Sequence, residues 1–196
     1  YLSEKRKNYT EEDLLALFDK AIPEGRVYIH AHLGATDIDD IFAKLRYIIV
    51  GCECKWVVVD HLHMLVSATT EGDERRTIDS IMTRLRSIVE ETGAGMVLVS
   101  HLRRVEGNRG HENGVTVGLN HLRGSQSIAQ LSDCVIALER NQQSEDPIDA
   151  QTTHMRVLKS RYTGDVGMAT HLLYDQDTGR LKELDTADFE DDGEEL

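Results

Sequence analysis

The chain has 196 residues, of which 40% are hydrophobic, and its 35 acidic residues outnumber 22 Lys and Arg, giving a net charge of −13. This length suffices for one α/β domain with a buried core. No apolar run reaches about 18 residues, so we expect neither a membrane span nor a signal peptide. Three cysteines, Cys52, Cys54 and Cys134, predict reduced thiols in a cytosolic protein. Because the first residue is Tyr1 rather than Met, we expect a fragment of a longer protein.

The first half of the sequence predicts helices separated by two short strands. Thr10 and Asp13 form a capping pair for a first helix, and Thr36 or Asp37 caps a second. A long helix with an apolar stripe ends at Gly93, which tolerates the left-handed conformation of a C-cap. An unbroken apolar run predicts a strand buried on both faces. The predicted elements are helices through Leu14–Phe18, Ile41–Ile49 and Asp73–Thr92, a turn at Pro23–Gly25, a strand at Arg26–His30 and the apolar strand Trp56–Val59.

The second half predicts a strand, a long loop, a short helix and then four strands. Asp177-Thr178-Gly179 is a turn sequence that joins the last two strands as a hairpin. Strand–helix–strand units followed by hairpins predict an α/β fold, with a mainly parallel sheet flanked by helices and antiparallel strands at one edge. The segments are strands at Met96–Val99, Cys134–Leu138, Thr153–Leu158, Met168–Tyr174 and Leu181–Leu184, a loop at His101–Asn120 and a helix at Ser125–Leu131.

Charge is unevenly distributed along the chain. Eight acidic residues lie between Glu183 and Leu196 without any Lys or Arg, and we expect the residues after Asp185 to be disordered. In the loop region, by contrast, arginines outnumber glutamates, and such a basic strip fits binding of a nucleic acid strand. These residues are Arg103, Arg104, Arg109 and Arg123 against Glu106 and Glu112.

Two polar residues come at the ends of predicted parallel strands. Asp60 directly follows three valines, and His101 follows Met96–Val99 and Ser100. In open α/β sheets ligands bind beyond the carboxyl ends of the strands, so Asp60 is placed to hold Mg²⁺-bound water and His101 to contact a phosphate. The same two residues also fit simpler roles, as a turn residue and a hydrogen-bonded loop histidine.

The histidines suggest a second hypothesis. His30 and His32 lie at the end of one predicted strand, and His61, His63 and His101 follow two others. Imidazoles and a carboxylate at strand ends can bind zinc in a hydrolase. Against this hypothesis, no acidic residue lies between His30 and His32, and the Arg-rich loop has no role in such an enzyme.

Two basic segments are candidates for binding phosphates. Arg123-Gly124-Ser125 follows a loop of about twenty residues, and a glycine there permits close approach of the main chain to a phosphate backbone. Lys159 and Arg161 lie at the end of a predicted edge strand, where an arginine can reach the nucleotide of a neighbouring subunit. A solvated loop and an edge strand protected by charge are the alternatives.

Together these segments resemble the helicase domain of the bifunctional primase–helicases of short-tailed phages, a DnaB-like hexameric motor related more distantly to the mitochondrial helicase Twinkle. The similarity extends from about Tyr28 to Asp185 and implies a RecA-like core over residues 1–185, followed by an acidic tail over residues 186–196. It is carried by Trp56–His61, Glu71–Arg84, Ser100–Leu102, Leu122–Ser125, Gln130–Asp133, Ala137–Gln143 and Lys159–Asp165.

The resemblance implies a role for each candidate residue. Asp60 would be the Walker B carboxylate that orders Mg²⁺ and water beside ATP or dTTP, and His101 would sense the γ-phosphate. Arg161, with Lys159 nearby, would act as a finger on the next subunit's nucleotide. The base would lie between Arg140 and Tyr174. The contacts to single-stranded DNA would come from Arg103, Arg109, Arg123, Gly124 and Gln130, of which Gln130 would also report the nucleotide state.

The sequence departs from the family pattern at several places. Arg103, Gly107 and Arg109 stand where the family has lysines, Ala129 replaces a basic residue, and Leu196 replaces a terminal aromatic. The motif G-x-x-x-x-G-K-[ST], which holds the β- and γ-phosphates, does not occur in the 196 residues. The resemblance places this loop and the catalytic glutamate upstream. We therefore expect the chain to begin downstream of the phosphate-binding loop and to be inactive by itself.

The resemblance implies part of a hexameric replicative helicase. Such an enzyme couples NTP hydrolysis to 5′→3′ translocation on single-stranded DNA and to duplex unwinding, here in the cytoplasm of a phage-infected cell. The acidic tail would recruit the replicative DNA polymerase. Two alternatives stay open: a RecA-like DNA-binding module without catalysis, and the zinc-dependent hydrolase.

Overall fold

The computed structural model describes residues 10–22, 25–30, 37–67, 73–104, 110–124 and 126–184. The chain divides into two compact units. The first comprises Tyr1–His101 and Arg123–Leu131, and the second comprises Leu102–Leu122 and Ser132–Leu196. Several predictions fall outside the described residues, namely those on Pro23, Glu24, His32, Thr36, Arg109, Ser125 and the acidic tail.

In its described residues the first unit has five α-helices, a π-helical turn and a parallel pair of strands. The strands β1 and β2 pair along their whole length, with Trp56 opposite Gly95 and Val59 opposite Leu98. None of the described helices is both long and apolar enough to cross a membrane. The elements are α1 (Glu11–Ala21), α2 (Ile38–Arg46), β1 (Trp56–Val59), α3 (Leu62–Ser67), α4 (Glu74–Thr92), β2 (Gly95–Leu98) and α5 (Ser127–Leu131).

The helix ends follow the predicted capping signals. Thr10 and Asp13 form a capping box at the start of α1, and the Asp37 side chain accepts the N–H of Asp39 at the start of α2. Gly93 ends α4 with a φ of 69°, the left-handed conformation that glycine adopts without strain. These predictions are confirmed. Helix caps can be predicted from sequence because they depend on neighbouring residues alone. The apolar side of α1, in contrast, is exposed, and the helix has no buried residue.

The core of the first unit forms around α4. Its predicted apolar stripe is buried at Ile78, Ile81, Met82, Leu85 and Ile88, and each such side chain contributes about 1.5–3 kcal/mol when removed from water. Helix α2 adds Ile41, Phe42 and Leu45 and continues into a π-helical turn over Tyr47–Gly51, which buries Ile49.

Two predictions for the first unit are wrong. Residues Arg26–His30 do not form a strand, because no described strand lies beside them to accept their backbone hydrogen bonds, and Ile29 is 84% exposed. Strand β1 is not buried on both faces. Val57 is buried, but Trp56 and Val58 on the opposite face are 70% and 67% exposed, since nothing in the described part of this unit covers that face.

The second unit is an antiparallel sheet with strand order β3-β4-β5-β6. The predicted strands and the turn at Asp177-Thr178-Gly179 are confirmed, with ends that differ by one or two residues. No helix long enough for a crossover lies between these strands, and such connections favour antiparallel neighbours. The strands are β3 (Cys134–Glu139), β4 (Thr152–Ser160), β5 (Gly167–Asp175) and β6 (Arg180–Leu184), with 3₁₀ turns at Leu119–His121 and Asp149–Gln151.

The α/β class is therefore confirmed, but the sequence predicts a mainly parallel sheet and most of the described strands are antiparallel. Among the described residues two strands are parallel and four are antiparallel, and they form two separate sheets. The three cysteines, Cys52, Cys54 and Cys134, are free thiols.

Candidate functional site

The carboxyl ends of β1 and β2 lie side by side. The N–H of Val99 donates to the C=O of Val59 at 3.0 Å, so the two strands remain paired to their last residues. Asp60 directly follows β1, and His101 lies three residues beyond the end of β2. Asp60 is exposed at this edge. A carboxylate in that position can order cation-bound water beyond the strand ends.

Three histidines form a cluster at the same edge. His61 follows Asp60, His63 lies in the first turn of α3, and His101 follows β2. One ring nitrogen of each lies within 4.8 Å of the others. The ring centroids of His61 and His101 are 3.9 Å apart, and those of His63 and His101 are 5.4 Å apart. Nδ1 of His61 and both ring nitrogens of His63 are buried without a hydrogen-bond partner among the described residues.

The surroundings of His63 favour its neutral form. Burial lowers the pKa of the His63 imidazole from its ordinary value of 6.5, and the positive charge of Arg123 lowers it further. The neighbouring His101 and His61 act in the same direction, while Glu74 opposes them. A neutral imidazole has one nitrogen lone pair available, so this side chain can accept a hydrogen bond or bind a metal at neutral pH.

A backbone hydrogen bond joins His101 to the Arg-rich segment. The N–H of Arg123 donates to the C=O of His101 at 3.1 Å, and its guanidinium lies 3.4 Å from the Glu74 carboxylate. The next residue, Gly124, has a φ of 105°, and a methyl group added to it would overlap Cδ1 of the buried Ile78. The close approach of this segment to α4 therefore depends on glycine.

The other predicted DNA contacts lie on both units. Gln130 is an exposed residue of α5, which packs against α4. In the second unit the N–H of Arg103 donates to the C=O of His121 at 2.9 Å. Nε2 of His111 donates to the C=O of Arg103 at 3.2 Å, and the Arg103 side chain remains exposed. Arg109 lies outside the described residues.

Lys159 and Arg161 both contact the segment that precedes β3. Lys159 lies near the end of β4, which pairs with β3 on one side and β5 on the other, so the edge strand predicted here is an inner strand of the sheet. Nζ of Lys159 donates to the C=O of Ser132 at 2.8 Å. The guanidinium of Arg161 lies 3.4 Å from the Asp133 carboxylate, and its backbone N–H donates to the C=O of Asp133 at 2.8 Å. The Arg161 side chain is 46% exposed, so part of its guanidinium remains accessible from outside the unit.

Arg140 and Tyr174, the predicted base-binding pair, have different surroundings. Nε of Arg140 donates to the C=O of Ala150 at 2.7 Å, which fixes the guanidinium beside the 3₁₀ turn. Tyr174 lies on β5 opposite Leu181 and is 38% exposed. No stacking contact between the Arg140 guanidinium and the Tyr174 ring is present in this unit's described residues, so a base-binding role for the pair stays a prediction.

Asp149, His154 and His171 form a chain of hydrogen-bonded side chains in the second unit, which the sequence does not predict. Nδ1 of His154 lies 2.7 Å from Nδ1 of His171, and Nε2 of His154 lies 3.3 Å from a carboxylate oxygen of Asp149. Burial, followed by His154 and Arg156, lowers the pKa of His171 from 6.5. The two histidines are direct partners across β4 and β5, but their pairing depends on a register shift between Met155 and Arg156, which sequence patterns do not specify.

Residues 4–183 match the family described as DnaB-like helicase C-terminal domain. The chain belongs to this family. The helicase/primase of Enterobacteria phage T3 is 38% identical over 165 residues, which are 84% of this chain and 29% of that protein. This DnaB-like chain thus spans less than a third of the phage relative's length.

Solved structures show a RecA-like fold for this member of the DnaB-like family. A solved ATPase domain matches with a TM-score of 0.71 at 20% identity, covering 93% of this chain and 64% of that one. A DnaB-like replicative helicase, solved for its interactions with primase, matches with a TM-score of 0.67 at 20% identity, covering 93% and 43%. A KaiC-like protein from Pyrococcus horikoshii OT3 matches at 0.60 and 14% identity, covering 91% and 72%. The predicted family and fold are confirmed.

Proposed function

We propose that this chain is the C-terminal part of the motor of a phage replicative DNA helicase. In the complete protein the motor couples NTP hydrolysis to 5′→3′ movement on single-stranded DNA and unwinds the duplex as a hexameric ring. Family membership and the 38% identity to a phage helicase/primase support a helicase role. They also favour this function over a zinc-dependent hydrolase.

The observation that carries the proposal is the connection between His101 and Arg123. His101 lies at the carboxyl edge of the parallel strands, where a nucleotide binds in open α/β sheets. The carbonyl of His101 accepts the N–H of Arg123 at 3.1 Å. The residue proposed to contact phosphate is therefore hydrogen-bonded directly to the residue proposed to contact DNA. A change in the His101 backbone on phosphate release would move Arg123 with it.

The residues at this edge fit a magnesium nucleotide in part. The exposed Asp60 carboxylate would order Mg²⁺-bound water, and His101 would contact the terminal phosphate. Bound Mg²⁺ neutralises negative charge on the phosphates. No Gly-rich loop of the 196 residues carries the Lys and hydroxyl pair that holds β- and γ-phosphates. The nucleotide, ATP or dTTP, would require that loop, and we propose that this chain alone does not hydrolyse it.

The remaining roles concern neighbouring subunits and partners. Arg161, supported by Lys159 and partly exposed, would act as the finger on the next subunit's nucleotide. Such a finger raises the rate by about 10³–10⁵, which ties hydrolysis to ring assembly. Arg140 and Tyr174 would hold the base. The acidic tail would bind the replicative polymerase, and the enzyme would act in the cytoplasm of the infected cell.

Binding of single-stranded DNA tests the proposal on this chain directly. The probe is a fluorescently labelled oligothymidylate, and its anisotropy is measured over a series of salt concentrations. Each phosphate contact contributes about 0.7 to the slope of log affinity against log salt for single strands. We expect Arg123→Ala to lower the affinity several-fold and to reduce this slope by about 0.7.

Arg46→Ala is the matched control. Arg46 lies on the same unit, is 49% exposed against 52% for Arg123, and like Arg123 pairs with a glutamate. Both substitutions remove one exposed positive charge, so a general loss of attraction would affect them equally. Equal losses for the two variants, or no DNA binding by the parent chain, would contradict the proposed role of Arg123.

A further inference from the structure

Two of the three clustered histidines have no part in the proposed nucleotide chemistry. His61 and His63 point ring nitrogens into the cluster formed with His101, and one nitrogen of each ring lies within 4.8 Å of the others. Three buried ring nitrogens of His61 and His63 have no hydrogen-bond partner among the described residues. Buried polar atoms without partners are unfavourable, so the arrangement favours a ligand that accepts several nitrogen lone pairs at once.

We propose that His61, His63 and His101 together bind one divalent transition-metal ion, for which zinc is best suited. Neutral imidazole is a common ligand of Zn²⁺, Cu²⁺ and Ni²⁺, whereas Mg²⁺ prefers oxygen ligands. With Zn–N bonds of about 2.0–2.1 Å, two nitrogens on a tetrahedral ion lie about 3.4 Å apart. The three ring nitrogens lie within 4.8 Å of one another, so binding one ion would require the imidazole rings to rotate towards it.

The positions of the three residues suit such a site. His63 is held on α3, while His61 and His101 follow the paired ends of β1 and β2, so three elements fix the backbone positions. Three protein ligands leave the fourth position of a tetrahedral ion open to water or an anion. The site is distinct in chemistry from the position of Asp60, whose oxygen ligands would suit Mg²⁺.

Metal binding and the proposed helicase function share one residue. An ion bound to His101 would hold its ring away from a phosphate, so zinc and a nucleotide would compete for that side chain. The metal inference does not rest on the helicase function, however, because zinc binding is measured without nucleotide or DNA. Either can fail while the other stands.

The experiment measures Zn²⁺ binding by the 196-residue chain, in competition with a chromophoric chelator and by equilibrium dialysis with metal analysis. We expect one Zn²⁺ per chain and no comparable binding of Mg²⁺. Loss of an outer partner of a metal ligand already lowers affinity by about 10–100-fold, so loss of a ligand in His63→Asn should lower it at least about tenfold. His101→Asn, at an exposed position, should have the same effect if His63→Asn does not fold.

Two control variants separate this site from other zinc ligands in the chain. His30→Asn removes an exposed histidine outside the cluster, and the double variant Cys52→Ser, Cys54→Ser removes the two thiols of the first unit. Both controls should bind zinc like the parent. The proposal is overturned if the parent binds no zinc, if His63→Asn and His101→Asn bind it unchanged, or if either control abolishes binding.

Discussion

Replacing Gly124 by alanine tests how the segment that carries Arg123 is held against α4. Gly124 has a φ of 105°, a conformation that residues with a side chain rarely adopt. A methyl group at this position would also overlap Cδ1 of Ile78, whose side chain is 0% exposed. Alanine is therefore expected to destabilise the first unit in two separate ways.

The magnitude follows from these two contributions. Holding a residue with a side chain in a sparsely populated backbone region costs about 1–3 kcal/mol. Overpacking a filled core adds about 1–3 kcal/mol, here towards the lower end because the overlapping atom is the flexible end of the Ile78 side chain. We expect Gly124→Ala to lower the free energy of unfolding of the first unit by about 2–4 kcal/mol.

The assay is urea unfolding followed by the fluorescence of Trp56, the single tryptophan, which lies in β1 of the same unit. Gly93→Ala is the control for the backbone effect alone. Gly93 also has a positive φ, 69°, but no atom lies within 4 Å of the added methyl group. We expect this control to cost only about 1 kcal/mol.

A double-mutant cycle isolates the overlap. Ile78→Val removes Cδ1 and by itself costs about 0.5–1.5 kcal/mol. Combined with Gly124→Ala it should also relieve the overlap, so the double variant should be more stable than the sum of the single changes predicts, by about 1 kcal/mol or more. Strictly additive free energies, or a Gly124→Ala effect no larger than that of Gly93→Ala, would refute this reasoning.

Three further predictions follow from contacts in the second unit and from the missing phosphate loop. The Lys182 ammonium 2.6 Å away, helped by backbone N–H donors, lowers the pKa of Asp175 from 3.8 to about 2. Because the fold favours the charged carboxylate, its stabilisation of the fold is complete above pH about 4 and is lost as the pH falls through about 2. An NMR titration of Lys182→Met should show the pKa of Asp175 moving back towards 3.8. Glu139→Ala removes the acceptor of the Val117 N–H at 2.8 Å and the partner of Arg156 at 3.2 Å. It should destabilise the unit by about 2–4 kcal/mol in urea unfolding, with a clearly smaller loss for Glu139→Gln, whose amide oxygen still accepts from Val117. The parent chain should release no phosphate from ATP or dTTP with or without DNA, and release that is abolished by Asp60→Asn would contradict this expectation.

Local signals in the sequence account for much of the fold. The capping box at Thr10, the left-handed end of α4 at Gly93 and the hairpin after Asp175 each depend on residues within a few positions, so the sequence predicts them correctly. The strand expected at Arg26–His30 fails for the opposite reason. Strand formation needs a partner for its backbone groups, and apolar residues cannot indicate whether a partner is present.

In the candidate site, too, some features can be predicted from the sequence and others cannot. The carboxyl ends of parallel strands meet at one edge, so Asp60 and His101 can be placed there from the sequence. The hydrogen bond between His101 and Arg123 joins residues separated by a long loop, and no spacing rule indicates it. The contacts of Arg161 with Asp133 likewise depend on the tertiary path of the chain.

The chain of Asp149, His154 and His171 also determines where its hydrogen atoms lie. An ionised carboxylate can only accept, so Nε2 of His154 carries a hydrogen towards Asp149. When both imidazoles are neutral, Nδ1 of His154 is then an acceptor, and the hydrogen between the two rings belongs to Nδ1 of His171, 2.7 Å away. The Asp149 carboxylate thus determines the tautomers of two imidazoles in succession, and the hydrogen bonds of the chain all donate towards Asp149.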